Sequence, residues 1–215
     1  MFSVGLTGGI ASGKTTISNL FANHHVPVVD TDVISRALLK RGETAYEQVR
    51  QHFGASILDS SLDIDRAKLR DIVFSQPREK HWLEMMLHPL IYRRTHSEIS
   101  QQNGKGYLLV VVPLLFETNF QPLVNRVLAV DCPADIQIQR LIQRDNIKES
   151  LAHKILSQQL SNEERLARAH DVIENHSEDS SLEFQVETLH AKYLELAQDQ
   201  PSKPSEDLCT TDGVY

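Results

Sequence analysis

The chain has 215 residues, 40% of them hydrophobic and 24% charged, and its 22 basic and 29 acidic side chains give a net charge of −7. These proportions are typical of ordinary globular domains, and the length suits one domain with elaborations or two small ones. The negative charge argues against broad adhesion to nucleic acid or anionic membranes. The two cysteines, Cys132 and Cys209, are too few and too far apart for a disulfide framework.

No segment has the pattern of a membrane anchor or a secretory signal. The longest apolar run, 107–116, contains Pro113 and is much shorter than the ~20 residues that span a bilayer. The first residues carry no basic segment ahead of an apolar stretch. Together with the cysteine usage, these features predict a cytoplasmic protein.

Short apolar runs predict the strands of a sheet. They are Phe2 to Thr7, Val26 to Val29, Tyr107 to Val112, Val127 to Val130 and Val172–Ile173. Because the runs are unbroken rather than alternating, they suit strands that helices cover on both faces. Helical segments lie between them, so the sequence predicts an α/β fold with a mostly parallel five-stranded sheet flanked by helices.

The segment between the second and third predicted strands, roughly residues 33 to 105, is several times longer than the dozen or so residues of a simple crossover. Helical periodicity recurs in it, first at Leu69, Ile72 and Val73. We therefore expect a helical insertion in a domain over residues 1–199. Residues 200–215 are polar, with little to bury, and predict a disordered tail.

Residues 8–15, Gly-Gly-Ile-Ala-Ser-Gly-Lys-Thr, match the phosphate-loop motif G-x-x-x-x-G-K-[ST]. A glycine-rich loop lets consecutive backbone N–H groups point at an anion, and the following helix adds its positive end. Lys14 is expected to reach the β and γ phosphates, and the Thr15 hydroxyl to ligate Mg²⁺. The predicted nucleotide-binding residues of this P-loop NTPase-type fold are Gly8, Gly9, Ala11, Ser12, Gly13, Lys14, Thr15 and Thr16.

The motifs that mark signalling GTPases are absent. No glycine follows an aspartate by three positions, and no asparagine is followed by lysine. This favours a small-molecule kinase. Two alternatives stay open: another small-metabolite or nucleoside monophosphate kinase with the same core, and a nucleotide-dependent switch that hydrolyses slowly and transfers nothing.

Two aspartates, Asp30 and Asp32, follow the second predicted strand. Ligands of open parallel sheets bind beyond the carboxyl ends of the strands, so both carboxylates should lie near the phosphate loop. A kinase needs a group that orients the acceptor hydroxyl and receives its proton. Either aspartate could instead cap the helix that follows, and the sequence leaves this choice open.

Several motifs together resemble those of the dephospho-CoA kinase family, over roughly residues 1–197. The phosphate loop is shared by many families, whereas H-P-x-[IV] combined with P-L-L-F-E is far narrower. The matching segments are Val4–Ile10, Asp30-Thr31-Asp32, Phe53-Gly54, His88-Pro89-Leu90-Ile91, Pro113-Leu114-Leu115-Phe116-Glu117, Arg140 with Arg144-Asp145, Gln158 to Arg165, and Asp171 to Asn175.

The resemblance implies transfer of the ATP γ-phosphoryl group to the ribose 3′-hydroxyl of dephospho-CoA, the last step of coenzyme A synthesis. It implies Asp32 as the catalytic base and substrate contact, and a CoA-side insertion over about 33–92 that includes His88. It further implies that Arg140 acts in catalysis and Arg144 in nucleotide binding, both from a lid over about 114–147. The carried-over site residues also include Asn175 for the nucleotide and Glu117 for the substrate.

Plain structural roles compete with some of these assignments. His88 could be a histidine packed beside Pro89, the two arginines could be a solvated helix face, and Glu117 could anchor a loop. The family often has an acidic residue where this chain has Val111. Mg²⁺ is therefore expected to be held by Thr15, phosphate oxygens and waters, with Asp32 as a further candidate. ATP and dephospho-CoA are the expected partners, and no nucleic acid, membrane or obligate protein partner is expected.

Overall fold

The centre of the molecule is a five-stranded parallel sheet. The computed structural model describes residues 1–102, 104, 106–176 and 181–199. Within them the strand order is β2-β3-β1-β4-β5, and each neighbouring pair is parallel. The mostly parallel sheet predicted from the apolar runs is confirmed. The strands are β1 (Phe2–Thr7), β2 (Val28–Asp30), β3 (Tyr107–Val111), β4 (Arg126–Asp131) and β5 (Asp171–Glu174).

Helices connect the strands and include the long helical region after β2. The predicted insertion bounds of 33–92 lie inside this region, because its first helix begins at Thr31 and its last continues to Gln101. The predicted tail, 200–215, lies outside the described residues. The helices are α1 (Lys14–Asn23), α2 (Thr31–Leu38), α3 (Thr44–Phe53), α4 (Arg66–Ser75), α5 (Pro77–Gln101), α6 (Ala134–Asp145), α7 (Glu149–Leu156), α8 (Asn162–Ala167) and α9 (Leu182–Gln198).

Local capping explains where several helices begin. The Asp65 side chain accepts hydrogen bonds from two backbone N–H groups in the first turn of α4. Ser161 and Glu164 form a capping box at the start of α8. Such side chains satisfy N–H groups that the helix itself leaves without a partner, which makes the start of the helix specific.

Two hydrophobic clusters cover the two faces of the sheet. On one face α1 and α9 pack through Phe21 and Tyr193, both fully buried. On the other face Ile34 of α2 and the α5 side chains Ile91 and Tyr92 pack against β3. A third cluster holds α3, α4 and the first half of α5 together. Coverage of both faces is the reason that the strand sequences are apolar without alternation.

The sheet topology decides where a ligand can bind. The chain passes from the central strand β1 to β2 on one side, and only later to β4 and β5 on the other. The connections after β1 and β4 therefore leave in different directions and open a crevice at the carboxyl ends of the strands. Among the described helices, none is both long and apolar enough to cross a lipid bilayer.

Asp171, at the start of β5, is the centre of a buried ion network. Its carboxylate accepts hydrogen bonds from Arg126 Nε and Nη2 at 2.5 and 3.0 Å, Lys192 Nζ at 2.6 Å and Tyr193 Oη at 3.0 Å. Burial alone would raise the pKa of Asp171, but these donors outweigh it and lower the pKa to about 2. Because the pKa is lower in the folded state, the group stabilises the fold above its unfolded pKa and loses this contribution as the pH falls towards 2.

We expect Asp171→Asn to lower the free energy of unfolding by about 3 kcal/mol at neutral pH, because two cations lose their common counter-charge. Urea unfolding measures the loss, and the difference from the parent protein should shrink below about pH 3. The control is Glu98→Gln, which removes an exposed ion pair with Arg94 and should cost less than about 1 kcal/mol. Equal losses in the two variants would contradict this assignment.

Candidate active site

The phosphate loop joins β1 to α1 and depends on glycine at two close approaches. Gly13 has a φ of 97°, and a Cβ there would overlap the side-chain nitrogen of Asn175. A Cβ on Gly9 would overlap the side-chain oxygen of Gln137, a buried residue of α6. The loop is thus pressed between α6 and the end of β5. A side chain at either position would displace Gln137 or Asn175, and the positive φ of Gly13 further disfavours any other residue there. Glycine thus leaves the loop backbone free to face a ligand.

Lys14 folds back over this loop. Its Nζ donates hydrogen bonds to the carbonyl oxygens of Gly8 and Gly9, at 2.8 and 2.9 Å. Burial lowers the pKa of Lys14 to about 8, with Asp32 opposing this shift and Arg165 adding to it. Since burial disfavours the charged ammonium group, a bound anion would stabilise it. Lys14 is therefore positioned as a cation that a bound phosphate group would stabilise in its charged form.

The hydroxyl groups of Thr15 and Thr16 lie in the first turn of α1, and both residues are exposed. In the part of the chain that the structure describes, no three His, Cys, Asp or Glu side chains converge on a possible metal site. Mg²⁺ in kinases is bound by one or two protein oxygens together with substrate phosphates and waters. The Thr15 hydroxyl and the Asp32 carboxylate, both hard oxygen donors, fit a metal of that kind.

Asn175, just after β5, connects the phosphate loop to α6. Its Nδ2 donates to the carbonyl oxygen of Ser12 at 2.8 Å, and its Oδ1 accepts from Arg140 Nη2 at 3.3 Å. Arg140 Nη1 also lies 3.6 Å from the sulfur of Cys132. Asn175 is 5% exposed, so these contacts hold the Arg140 guanidinium beside the loop through a rigid amide.

Arg144, one helical turn beyond Arg140, forms a bidentate pair with its neighbour Asp145 through contacts of 2.8 and 2.9 Å. This pair raises the pKa of Arg144. Arg144 is mostly exposed, yet it is close enough to Lys14 to contribute to the lowered pKa of that lysine. The two arginines of α6 therefore both border the phosphate loop, one fixed and one open to solvent.

The two aspartates at the end of β2 have different surroundings. Asp30 is the N-cap of α2, and its Oδ1 accepts from the backbone N–H groups of Asp32 and Val33 at 2.8 and 3.4 Å. The Asp32 carboxyl is instead near enough to Lys14 for the two charges to interact. Protein packed around it removes part of its hydration, and with the charge of Asp30 this raises the pKa of Asp32. An exposed carboxylate with a raised pKa is suited to accept a proton.

Asp32 also lines an open cleft between the sheet edge and α5, with a cavity volume of about 230 Å³. His88 of α5 lies in the same lining, together with apolar side chains such as Leu87 and Ile91. The cleft thus has one polar end at Asp32 and a largely apolar wall from the helical insertion. Such a cleft can hold a small organic ligand beside the phosphate loop.

Glu117 lies elsewhere. It is not part of the cleft lining, and its Oε1 accepts a hydrogen bond from the backbone N–H of Leu160 at 3.1 Å. This contact ties the connection after β3 to the segment before α8. In this conformation Glu117 therefore anchors a loop, which is one of the two roles that its sequence position allowed.

Two further residues at the site had no role in the sequence interpretation. The Gln159 Oε1 accepts from the backbone N–H of Ile10 in the phosphate loop at 2.9 Å, and the buried Arg165 lies close to Lys14. Both belong to the segment 158–165, which resembles the family but for which the sequence predicts no function of individual residues. Their proximity to the loop depends on contacts across about 150 residues, which no local pattern encodes.

The phosphate loop follows the central strand β1, and on its β2 side lie the Asp32 carboxylate and a cleft that could hold an organic acceptor. This combination defines a small-molecule kinase of the P-loop type. Comparison with known proteins narrows this class. A model of the dephospho-CoA kinase family matches residues 2–181. The dephospho-CoA kinase of Shewanella oneidensis is 43% identical over 196 residues, covering 91% of this chain and 95% of that protein.

Two solved structures have a fold similar to that of this chain. TT1252 from Thermus thermophilus matches with a TM-score of 0.74 at 27% identity, covering 89% of this chain and 97% of the other. The dephospho-CoA kinase from Campylobacter jejuni matches with a TM-score of 0.67 at 24% identity, covering 90% and 97%. The chain belongs to the dephospho-CoA kinase family, the ATP-dependent kinases of the last step of coenzyme A biosynthesis.

Proposed function

We propose that this protein transfers the γ-phosphoryl group of ATP to the ribose 3′-hydroxyl of dephospho-CoA, producing coenzyme A and ADP. The observation that carries the proposal is the position of Asp32. Its carboxyl lies close to Lys14 and also lines the cleft beside α5. A hydroxyl group bound in that cleft would meet a base on one side and the end of a triphosphate on the other.

The chemistry is an in-line displacement. The 3′-hydroxyl oxygen attacks the γ-phosphorus, the bond from that phosphorus to the bridging oxygen of ADP breaks, and the hydroxyl proton passes to Asp32. The phosphate-loop N–H groups and Lys14 hold the phosphates and stabilise charge on the leaving group. Asn175 supports this geometry by holding the loop and Arg140 together.

Mg²⁺ is the proposed divalent metal. The Thr15 hydroxyl is its proposed protein ligand and Asp32 a second candidate, while β3 ends in Val111, which has no donor side chain. The remaining ligands would be phosphate oxygens and waters. When bound, Mg²⁺ supplies positive charge that offsets the charge on the phosphate oxygens.

The proposed lid follows β4. The interval predicted from the family, 114–147, includes β4, which pairs with both β1 and β5 in the sheet. We therefore assign closure to residues 134–147, which carry Arg140 and Arg144. Closure would bring Arg144 from solvent onto the phosphates and exclude water from the reaction.

A coupled assay of ADP release tests the proposed reaction. With ATP and Mg²⁺ present, dephospho-CoA should stimulate ADP release, and AMP, UMP and shikimate should stimulate it far less. Stimulation by one of the other acceptors would favour another small-molecule kinase. Slow release that no acceptor stimulates would favour the nucleotide-dependent switch.

His88 is the proposed CoA-side contact. We expect His88→Ala to raise the KM for dephospho-CoA about tenfold, the loss of roughly one hydrogen bond, while the KM for ATP stays within twofold. The control is His81→Ala, which changes an exposed histidine on the same helix outside the cleft lining. Steady-state kinetics with each substrate varied separately measures the two KM values. An unchanged KM for dephospho-CoA would make His88 a packing residue.

ATP and dephospho-CoA are the proposed substrates. The expected lack of a nucleic-acid, membrane or obligate protein partner stays a prediction from the sequence, as does the cytoplasmic location.

A further inference from the structure

Arg165 of α8 is a buried cation with little to compensate it. The residue is 2% exposed, and its Nη2 donates to the carbonyl oxygen of Leu160 at 2.6 Å. Its Nε is buried without a hydrogen-bond partner among the described residues. Burying a charged group in this way costs free energy unless something pairs with it.

Arg126, a structural arginine of the same protein, is fully paired with a carboxylate and serves as a comparison for Arg165. It makes two contacts with the Asp171 carboxylate, at 2.5 and 3.0 Å. No carboxylate of the described chain forms an ion pair of this kind with Arg165. Burial lowers the pKa of Arg165, and the charge of Glu117 partly offsets this lowering. Arg165 is therefore incompletely paired by the residues that the structure describes.

The surroundings of Arg165 place it at the phosphate loop. Its charge contributes to the lowered pKa of Lys14, so the two cations are within range of electrostatic interaction. The Gln159 side chain, six residues earlier, accepts from the backbone N–H of Ile10 in the loop. Leu160, whose carbonyl accepts from Arg165, is itself held by Glu117 through its N–H. These contacts fix residues 159 and 160 beside the loop, and the hydrogen bond from Arg165 Nη2 to Leu160 ties the guanidinium to them.

The half-buried Lys14 and the buried Arg165 are near enough for their charges to interact. Two such cations repel each other, and an anion bound between them removes the repulsion. We propose that Arg165 is a further phosphate-binding residue of this kinase, and that it contacts the γ-phosphoryl group before and during transfer. This inference rests on the proposed function. It adds a fixed cation from α8 to Lys14 of the loop and to the arginines of α6.

The γ-phosphoryl group is the phosphate best placed for this contact. The loop N–H groups bind the α and β phosphates, and the lysine of such loops reaches the β and γ phosphates. A cation beside the Lys14 ammonium group therefore meets the outer end of the triphosphate. A planar guanidinium offers paired donors to phosphate oxygens, and an arginine that stabilises phosphoryl transfer is worth ~10³–10⁵-fold in kcat in related chemistry.

The test compares Arg165→Met, which keeps the apolar volume, with Arg165→Lys, which keeps the charge. For Arg165→Met we expect kcat with dephospho-CoA to fall at least about 100-fold. Its affinity for the β,γ-imido analogue of ATP should fall about tenfold, while its affinity for ADP changes less than about threefold. Arg165→Lys should recover at least about tenfold of the lost kcat.

Thermal unfolding separates this role from a structural one. Replacing an incompletely paired buried charge with an apolar side chain should leave the Tm of Arg165→Met equal to or above that of the parent protein. The control is Arg168→Met, an exposed arginine near the Phe116 ring at the end of the same helix, which should retain normal kcat and nucleotide affinities.

A kcat of Arg165→Met within threefold of the parent protein would overturn the proposal. So would equal losses of affinity for ADP and the ATP analogue, or a lowered Tm in Arg165→Met together with an Arg165→Lys variant that is equally inactive. If the parent protein does not phosphorylate dephospho-CoA, the proposed function is wrong. The comparison of ADP with the ATP analogue still tests the contact of Arg165 with a γ-phosphate.

Discussion

Replacing Asp32 with asparagine is expected to lower kcat by ~10²–10⁴-fold, the range typical of a lost general base. Asparagine has nearly the same shape and can still accept a hydrogen bond from the acceptor hydroxyl, but it cannot take the proton. ATP binding should persist or improve, because the negative charge beside Lys14 is lost. Single-turnover kinetics gives the rate of transfer, and equilibrium titration gives the ATP affinity.

Asp30→Asn is the matched control for this prediction. It removes a charge two residues away, and asparagine caps a helix about as well as aspartate, so α2 should keep its start. The charge of Asp30 contributes to the raised pKa of Asp32. The acidic limb of the kcat/KM profile should therefore lie above the pH expected for an ordinary aspartate and move to lower pH in Asp30→Asn. A kcat of Asp32→Asn close to the parent value would remove Asp32 from the role of base.

We expect Lys14→Ala to lose most turnover, with kcat reduced by roughly 10³-fold or more, because the variant loses the ammonium group that stabilises charge on the transferring phosphate. The affinity for ATP should fall as well, since the same group holds the β and γ phosphates in the ground state. The thermal stability of the fold should not decrease. Burial lowers the pKa of Lys14 to about 8, so removing this partly desolvated cation relieves an unfavourable charge.

The measurement is kcat, ATP affinity and Tm on the same preparations. Lys154→Ala, which changes an exposed lysine of α7, is the control and should match the parent protein in all three. Full activity of Lys14→Ala would contradict the phosphate-clamp role. A large fall in Tm would show instead that Lys14 supports the loop through its contacts with the Gly8 and Gly9 carbonyls.

Much of the architecture could be predicted from local patterns. The apolar runs of all five strands agree with the structure, because strands that are buried on both faces consist of consecutive apolar residues. The predicted start of α1 at Lys14 agrees as well. The phosphate loop was recognisable because its chemistry resides in consecutive residues. The length of the segment after β2 predicted a helical insertion, and α2 to α5 occupy this segment.

Residues with two plausible local roles could not be assigned in this way. Both Asp30 and Asp32 had the right spacing to cap α2, and only the backbone geometry made Asp30 the cap. Glu117 ends an apolar run at the expected edge, yet its contact is with the Leu160 N–H. Such choices depend on which partner lies nearby in space, and the partner of Glu117 is 43 residues away.

By itself, the amino-acid sequence determined the parallel α/β fold, the phosphate loop and the family resemblance, because periodicity, spacing and short motifs act over neighbouring residues. Only the tertiary structure decided that Asp32 faces both Lys14 and the cleft, that Asn175 joins the loop to Arg140, and that Arg165 lies buried beside Lys14. Electrostatic and hydrogen-bonding roles are properties of surroundings, and packing assembles those surroundings from distant parts of the chain.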